Sequence, residues 1–278
     1  MAIVITGAST GIGFSLAETL AAQGHKVYAG ARKAEDLVRL DAAHSNIYAV
    51  ALDVCNAEQV NAFAEKLVTD GEKVDALVNN AGVAVIGPLE IQSDDDLSWQ
   101  METNLVGTAR MIRAMLPLLR ETQGRIVNVS STSGLVAWPF AGAYVASKYA
   151  IEGLSDVLRV ELKRFGIDTV LINPGAVATP LWEKTFDAVH EKLAKQPEHI
   201  RKLYDADSAR SEEAVRKSVN SAVAPSVVVD TIVKALSAKN PKARYLVGPS
   251  AKIQWWMKTL MTTSLFDKLK FKIVYGDK

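Results

Sequence analysis

TGASTGIG, residues 6–13, closes a β-branched run, AIVIT at 2–6, and opens a segment in which Ile12, Leu16 and Leu20 recur every four residues. That spacing marks an amphipathic helix, and Gly24 stands where a left-handed C-cap would end it. Gly7, Gly11 and Gly13 therefore lie between a first strand and a first helix. A helix N-terminus presents unpaired N–H groups and a partial positive charge, and residues without side chains let a pyrophosphate approach the backbone. The intervals are not those of the GxGxxG pattern: three residues separate the first two glycines and one the last two. The stretch, with Ser9, Thr10 and Ile12 between its glycines, is a candidate phosphate loop whose meaning depends on partners further along.

Working outward, the alternation continues. KVYAG at 26–30, IYAVAL at 47–52, VDALVN at 74–79, RIVNVS at 125–130, DTVLIN at 168–173 and ARYLVG at 243–248 read as strands with helical patterns between them, the last helix near 226–238. Parallel neighbours need helical crossovers. The expected fold class is α/β, a Rossmann-like doubly wound parallel sheet with helices on both faces. Residues 1–250 are expected to form one nucleotide-binding and catalytic domain. A helical, mobile substrate lid is expected at 181–222, rich in Glu, Lys and Arg with scattered apolar Trp182, Phe186, Leu193, Ile200 and Leu203. Residues 251–278 read as an amphipathic extension packed on the domain or at an interface.

Composition narrows the function classes. Of 278 residues, 49% are hydrophobic and 23% charged, as in ordinary globular proteins. The 32 basic and 31 acidic residues leave a net charge of +1, which gives no electrostatic footprint for nucleic acid. Cys55 is the sole cysteine, so no intrachain disulfide forms and a cytoplasmic setting is expected. With Met1 followed directly by AIVIT, no basic leader or cleavable segment is expected, and no apolar run reaches the roughly 18 residues of a membrane span. His25, His44, His190 and His199 show no ligand spacing, so no metal is expected.

Two further stretches carry chemistry. GARK at 30–33 ends the second strand, where dinucleotide folds choose between a ribose hydroxyl and a ribose 2′-phosphate. Ala31 stands where an acidic acceptor would be, and Arg32 supplies a guanidinium suited to a phosphate. NADP(H) is the expected cofactor, with Lys33 assisting. SSTSGLVAWPFAGAYVASK at 130–148 holds Tyr144 and Lys148 four residues apart, on one face of a helix. A free phenol titrates near ~10, and a neighbouring ammonium or oxidised nicotinamide lowers that value.

With these residues the chain resembles the short-chain dehydrogenase/reductase (SDR) family, in pattern nearest the 17β-hydroxysteroid and retinol dehydrogenase branch. Thr6, Gly7, Gly11 and Gly13 match the family's phosphate loop, and Asn79, Asn80, Ala81 and Gly82 its element after the fourth strand. Asn104 in METNLVG, Ser131 thirteen residues before Tyr144, and the Pro174–Gly175 pair complete the motif order. The resemblance implies that Tyr144 gives or takes the hydroxyl proton and that Ser131 hydrogen-bonds the carbonyl oxygen. Lys148 would hold the nicotinamide ribose while lowering the tyrosine pKa, and Asn104 would position a water. It places the cofactor on Gly7, Ser9, Thr10, Gly11, Ile12, Gly13, Arg32, Asp53, Val54, Asn80, Ala81, Gly82, Tyr144, Lys148, Pro174, Gly175, Val177 and Thr179. Hydride transfer from a nicotinamide needs no metal.

The same branch implies a bulky apolar carbonyl or alcohol as substrate, which Trp138, Pro139 and Phe140 before Tyr144, and Trp182 and Phe186 after Thr179, would suit. Reduction of 3-oxoacyl thioesters uses the same catalytic set and is the alternative reaction. A noncatalytic NADP(H)-binding redox sensor is the alternative of another class, against which the joint presence of Asn104, Ser131, Tyr144 and Lys148 weighs. A homo-oligomer, dimer or tetramer, is expected through the helices carrying 103–121 and 144–165. In the tail, IQWWMKTLMTTSLFDKLKFKIV at 253–274 repeats Ile253, Trp256, Leu260, Leu265 and Leu269 at helical spacing, with Lys258, Lys268, Lys270 and Lys272 interspersed. Packing on its own domain or across a dimer is expected over peripheral contact with a membrane surface.

Overall fold

The glycine turn joins β1 (Ala2–Ile5) to α1 (Gly11–Ala22), and the strand–helix alternation that follows from it runs the length of the chain. The computed structural model describes residues 1–178, 181–220 and 222–276. After α1 come β2 (Lys26–Ala31), α2 (Ala34–Ala43), β3 (Ile47–Ala51), α3 (Ala57–Thr69), β4 (Val74–Asn79), α4 (Asp94–Met101) and α5 (Gly107–Thr122). The second half holds β5 (Arg125–Val129), α6 (Gly142–Glu161), β6 (Asp168–Pro174), α7 (Leu181–Ala194), α8 (Glu198–Asn220), α9 (Pro225–Ser237), β7 (Arg244–Val247), α10 (Pro249–Leu260) and α11 (Thr263–Tyr275). Gly24 ends α1 as its position predicted, with φ +84, and the next residue's N–H donates to the carbonyl of Leu20.

The strands form one seven-stranded sheet in the order β3-β2-β1-β4-β5-β6-β7, every pair parallel. Side chains alternate across a strand, and in β1 both faces are apolar. Ile3 and Ile5 pack with Leu16 and Leu20 of α1 and Val228 and Ile232 of α9. Val4 packs on the other face with Leu67 of α3 and Met111 and Met115 of α5. The strand order reverses between β1 and β4, and in such sheets the crevice outside the carboxyl ends of the strands at the reversal is where ligands bind.

Two elements depart from simple periodicity. Between α4 and α5, residues Glu102–Val106 wind as a π-helical turn, a local widening that the sequence pattern did not announce. The tail is two helices broken at Met261, with the Thr262 hydroxyl capping α11 by accepting from the Leu265 N–H. Its packed side is made by Trp255, Met257, Met261, Phe266 and Leu269 against Leu135, Val136 and Trp138. Ile253, Trp256, Leu260 and Leu265, four of the five residues of the expected apolar stripe, are exposed instead. Both sides of α10 carry large apolar residues, so spacing alone could not choose between them. Among the described residues, no helix is long and apolar enough to cross a membrane.

The segment read as a lid is the helical hairpin α7–α8. Val189 and Leu193 of α7 and Ile200 and Tyr204 of α8 cluster with Ile86 and Ile91. Polar contacts that tie the hairpin to the body include Lys192 to Asp96 at 2.6 Å, the Tyr204 hydroxyl to Glu90 at 2.6 Å and Arg210 to the Tyr275 carbonyl at 3.4 Å.

Candidate active site

The carboxyl ends of β1, β2, β4, β5 and β6 surround a cleft of about 300 Å³. The end at the glycine turn is built from backbone. Gly7 and Gly11 have φ of +65 and +57, values that disfavour side chains. A Cβ on Gly13 would stand 2.3 Å from the Gly7 carbonyl oxygen and 2.6 Å from Asn80 Nδ2. Gly13 does not border the cleft; its bare Cα lets α1 press against the turn. Thr6 Oγ1 accepts from the N–H groups of Asn80 (3.1 Å) and Ala81 (3.0 Å). The Asn80 amide donates back to the carbonyls of Thr6 (3.1 Å) and Gly7 (2.9 Å). These bonds stitch the segment after β4 onto the turn after β1. Ser9, Thr10, Gly11, Ile12, Asn80, Ala81 and Gly82 all border the cleft.

Arg32 and Asp53 border the far end, with Arg32 Nη1 4.0 Å from Asp53 Oδ2 and the arginine side chain 57% exposed, free to meet a ligand. Asp53 Oδ1 accepts from the Cys55 N–H at 2.9 Å, which shapes the turn that brings Val54 to the cleft. A second guanidinium stands nearby that the sequence reading passed over. Arg39 of α2 hydrogen-bonds the Ser9 carbonyl, pairs with Asp36 at 2.6 Å and lies over the Phe14 ring. Its only sequence signal is its place one helical turn after Asp36.

At the other end Ser131 follows β5, and α6 carries Tyr144 and Lys148. The Tyr144 phenol faces the Ser131 hydroxyl across the cleft wall. Burial pushes the phenol above its ordinary value and the neighbouring Ser131 hydroxyl only opposes that, whereas the Tyr–Lys spacing predicts a lowered pKa. Lys148 donates to the Val129 carbonyl at 3.0 Å and lies 5.8 Å from the Tyr144 ring centre. Only 7% exposed, its ammonium is brought down to about 8 by burial, against an opposing contribution from Glu152.

Asn104 sits in the π turn, 2% exposed. Its carboxamide accepts from the Val83 N–H at 2.9 Å and donates to the Val83 carbonyl and Ser147 Oγ, both at 3.0 Å. Both ends of the side chain are thus engaged in bracing the segment after β4. Asn104 Oδ1 and Lys148 Nζ converge on Gly82, 3.4 and 3.8 Å from where a Cβ would be. Gln100, absent from the sequence reading, braces the same segment through Val83 (2.8 Å) and Val85 (2.6 Å).

Pro174, Gly175 and Val177 border the cleft after β6, whereas Thr179 lies outside the described residues. Trp182 at the start of α7 also borders it, donates to the Val177 carbonyl at 3.2 Å and stacks on Phe186 at 6.4 Å. The aromatic group before Tyr144 is placed otherwise. Trp138 packs under the tail and donates to Gln254 at 3.2 Å. Phe140, in the left-handed region at φ +62, sets its ring 6.4 Å from that of Tyr275. Neither borders the cleft. His190 pairs with Glu212 at 2.7 Å within the hairpin and His199 is exposed. Among the described residues no cluster of His, Cys, Asp or Glu could hold a metal ion.

The sequence profile of the short chain dehydrogenases matches residues 1–190, and the chain belongs to that family. It is 37% identical over 254 residues to human 17-beta-hydroxysteroid dehydrogenase type 1, covering 87% of this chain and 76% of the relative. It is 34% identical over 253 residues to a 3-ketodihydrosphingosine reductase of Bacteroides thetaiotaomicron, covering 90% and 89% of the two chains. Among solved structures, a Burkholderia cenocepacia short chain dehydrogenase in complex with NADP superposes with a TM-score of 0.75 at 26% identity, over 96% of each chain. The protein is therefore an oxidoreductase of a family that works with NAD or NADP.

Proposed function

We propose that the protein is an NADP(H)-dependent carbonyl reductase and alcohol dehydrogenase for lipophilic ketones or aldehydes. The observation that carries this reading is the meeting of Ser131, Tyr144 and Lys148 at one end of a cleft whose other end holds Arg32. The bare turn at Gly7, Gly11 and Gly13 fits a pyrophosphate, and Arg32, with Arg39 close by, fits a ribose 2′-phosphate. When bound, the dinucleotide supplies the hydride. The Ser131 hydroxyl donates to the carbonyl oxygen of the substrate, and the protonated Tyr144 phenol transfers its proton as that oxygen gains charge. Lys148, whose ammonium burial brings down to about 8, restores the phenol proton. Trp182, stacked on Phe186, supplies an apolar wall on the substrate side. Support for a lipophilic substrate comes from relatives whose names specify a hydroxysteroid and a ketodihydrosphingosine. Pairing of two copies through α5 and α6 is supported by Val157 and Val160, 52% and 75% exposed on α6.

The test is fluorescence titration with NADPH and NADH, followed by a panel of steroid, long-chain, aryl and aliphatic ketones with the preferred cofactor. NADPH preference with turnover of a bulky ketone is the expected result. Turnover confined to 3-oxoacyl thioesters would replace the substrate assignment, and tight binding without turnover of either would make the protein a sensor.

A further inference from the structure

Beneath the catalytic end lies a buried polar chain that the proposed reaction does not use. Residues 144, 148, 152 and 156 recur every four positions along α6, which sets them on one helix face. Glu152 is 6% exposed, and each of its carboxylate oxygens has a partner. Oε1 accepts from Asn173 Nδ2 at 2.7 Å, and Oε2 from Arg244 Nε at 2.8 Å. The same Asn173 amide donates to the Ser131 carbonyl at 3.2 Å, and Arg244 reaches on to Asp156 at 3.1 Å. Gly134, in the turn that Ser131 caps, leaves no room between them: a Cβ there would stand 2.9 Å from Glu152 Cγ and 3.0 Å from the Lys148 carbonyl. α6, β6, β7 and the serine turn are thus joined through one carboxylate.

A buried ion pair is weak as a source of stability, since apolar residues of similar volume commonly serve as well. What it does provide is fixed geometry and a fixed charge. We propose that Glu152 is a positioning residue for proton transfer: anchored by Arg244, it holds Ser131 in place through Asn173 and presents a negative charge to Lys148 one turn away. The assignment rests on Ser131, Tyr144 and Lys148 acting as proposed above. The titratable and charged groups around Lys148 are Tyr144 and Glu152 on its own helix, with Arg244 of β7 and Asp156 behind Glu152; the Arg244 charge is shared between those two carboxylates.

The experiment is a set of pH–rate profiles for carbonyl reduction, with NADPH affinity measured in parallel by fluorescence. Removing the charge in Glu152→Gln should lower kcat by between about 10- and 100-fold with KM and NADPH affinity unchanged. Less positive charge is then retained on Lys148 at a given pH, so the loss of rate with rising pH should move to lower pH. Asn173→Ala, which leaves the Glu152–Arg244 pair in place, should lower kcat without moving that limb, and it serves if Glu152→Gln does not fold. A merely structural pair predicts lower Tm in Glu152→Gln with kcat and pH profile as in the wild type, and that result, or an Asn173→Ala enzyme of wild-type kcat, overturns the proposal. Tyr144→Phe run alongside separates the two assignments. If it is inactive while Glu152→Gln is unaltered, only the role of Glu152 fails; if it keeps its kcat, the catalytic assignment itself is wrong.

Discussion

The glycine turn and the α7–α8 hairpin border the same cleft and are held by different forces. At the turn, the Thr6 and Asn80 side chains make part-buried hydrogen bonds to backbone groups, and the approach of Gly13 to Gly7 leaves no space for a methyl group. The hairpin rests on a small apolar cluster and on surface pairs: Arg216 with Glu183 and Glu212, each at 2.8 Å, His190 with Glu212 at 2.7 Å and Lys192 with Asp96 at 2.6 Å. Exposed pairs of this kind contribute about 0–1 kcal/mol each. The turn is therefore the tightly packed side of the cleft and the hairpin the more lightly tied one.

That contrast can be broken or sharpened by substitution. The largest effect is expected on the rigid side, where Tyr144→Phe should lower kcat by about 10²–10⁴-fold with NADPH affinity intact, because only the proton donor is removed. Gly13→Ala forces a methyl group into the Gly7 carbonyl and should cost about 2–3 kcal/mol, read as a lower Tm with loss of cofactor binding. If it binds NADPH normally, the turn is more compliant than its geometry implies. Arg32→Ala removes charged contacts of about 1.5–3 kcal/mol, so NADPH should weaken by roughly 10–100-fold while NADH is little changed; equal losses would remove the basis for NADP(H). Lys192→Met should be the mildest. It loosens the hairpin by at most about 1 kcal/mol, which predicts a KM or product-release effect of a few fold at unchanged cofactor affinity. A large fall in Tm would show the hairpin to be as rigid as the turn.

The difference between the two regions also explains what could be read in advance. Turn and sheet rest on local rules: β-branched runs make strands, helical periods make the crossovers, and glycines mark where backbone must bend or touch. The seven strands, the C-cap at Gly24 and the gathering of Ser9, Arg32, Asp53, Asn80, Ser131, Tyr144 and Lys148 around one cleft follow from those rules together with the family resemblance. Long-range choices were not legible. The tail's exposed face at Ile253, Trp256 and Leu260 depended on which side of α10 met Trp138. The grip of Asn104 on Val83 and Ser147 depended on the π turn that aims it.

By itself the amino-acid sequence determined the class of fold and the family, and it singled out the candidate phosphate loop and proton-transfer residues, because each is encoded by residue type and spacing within one or two neighbouring elements. Only the tertiary structure decided the burial that raises the Tyr144 phenol and brings the Lys148 ammonium down to about 8, and the joining of Glu152 to Ser131 through Asn173 and to β7 through Arg244. Those properties arise from burial and from contacts between α6, β6 and β7, which lie far apart along the chain and meet only when the sheet closes around the cleft.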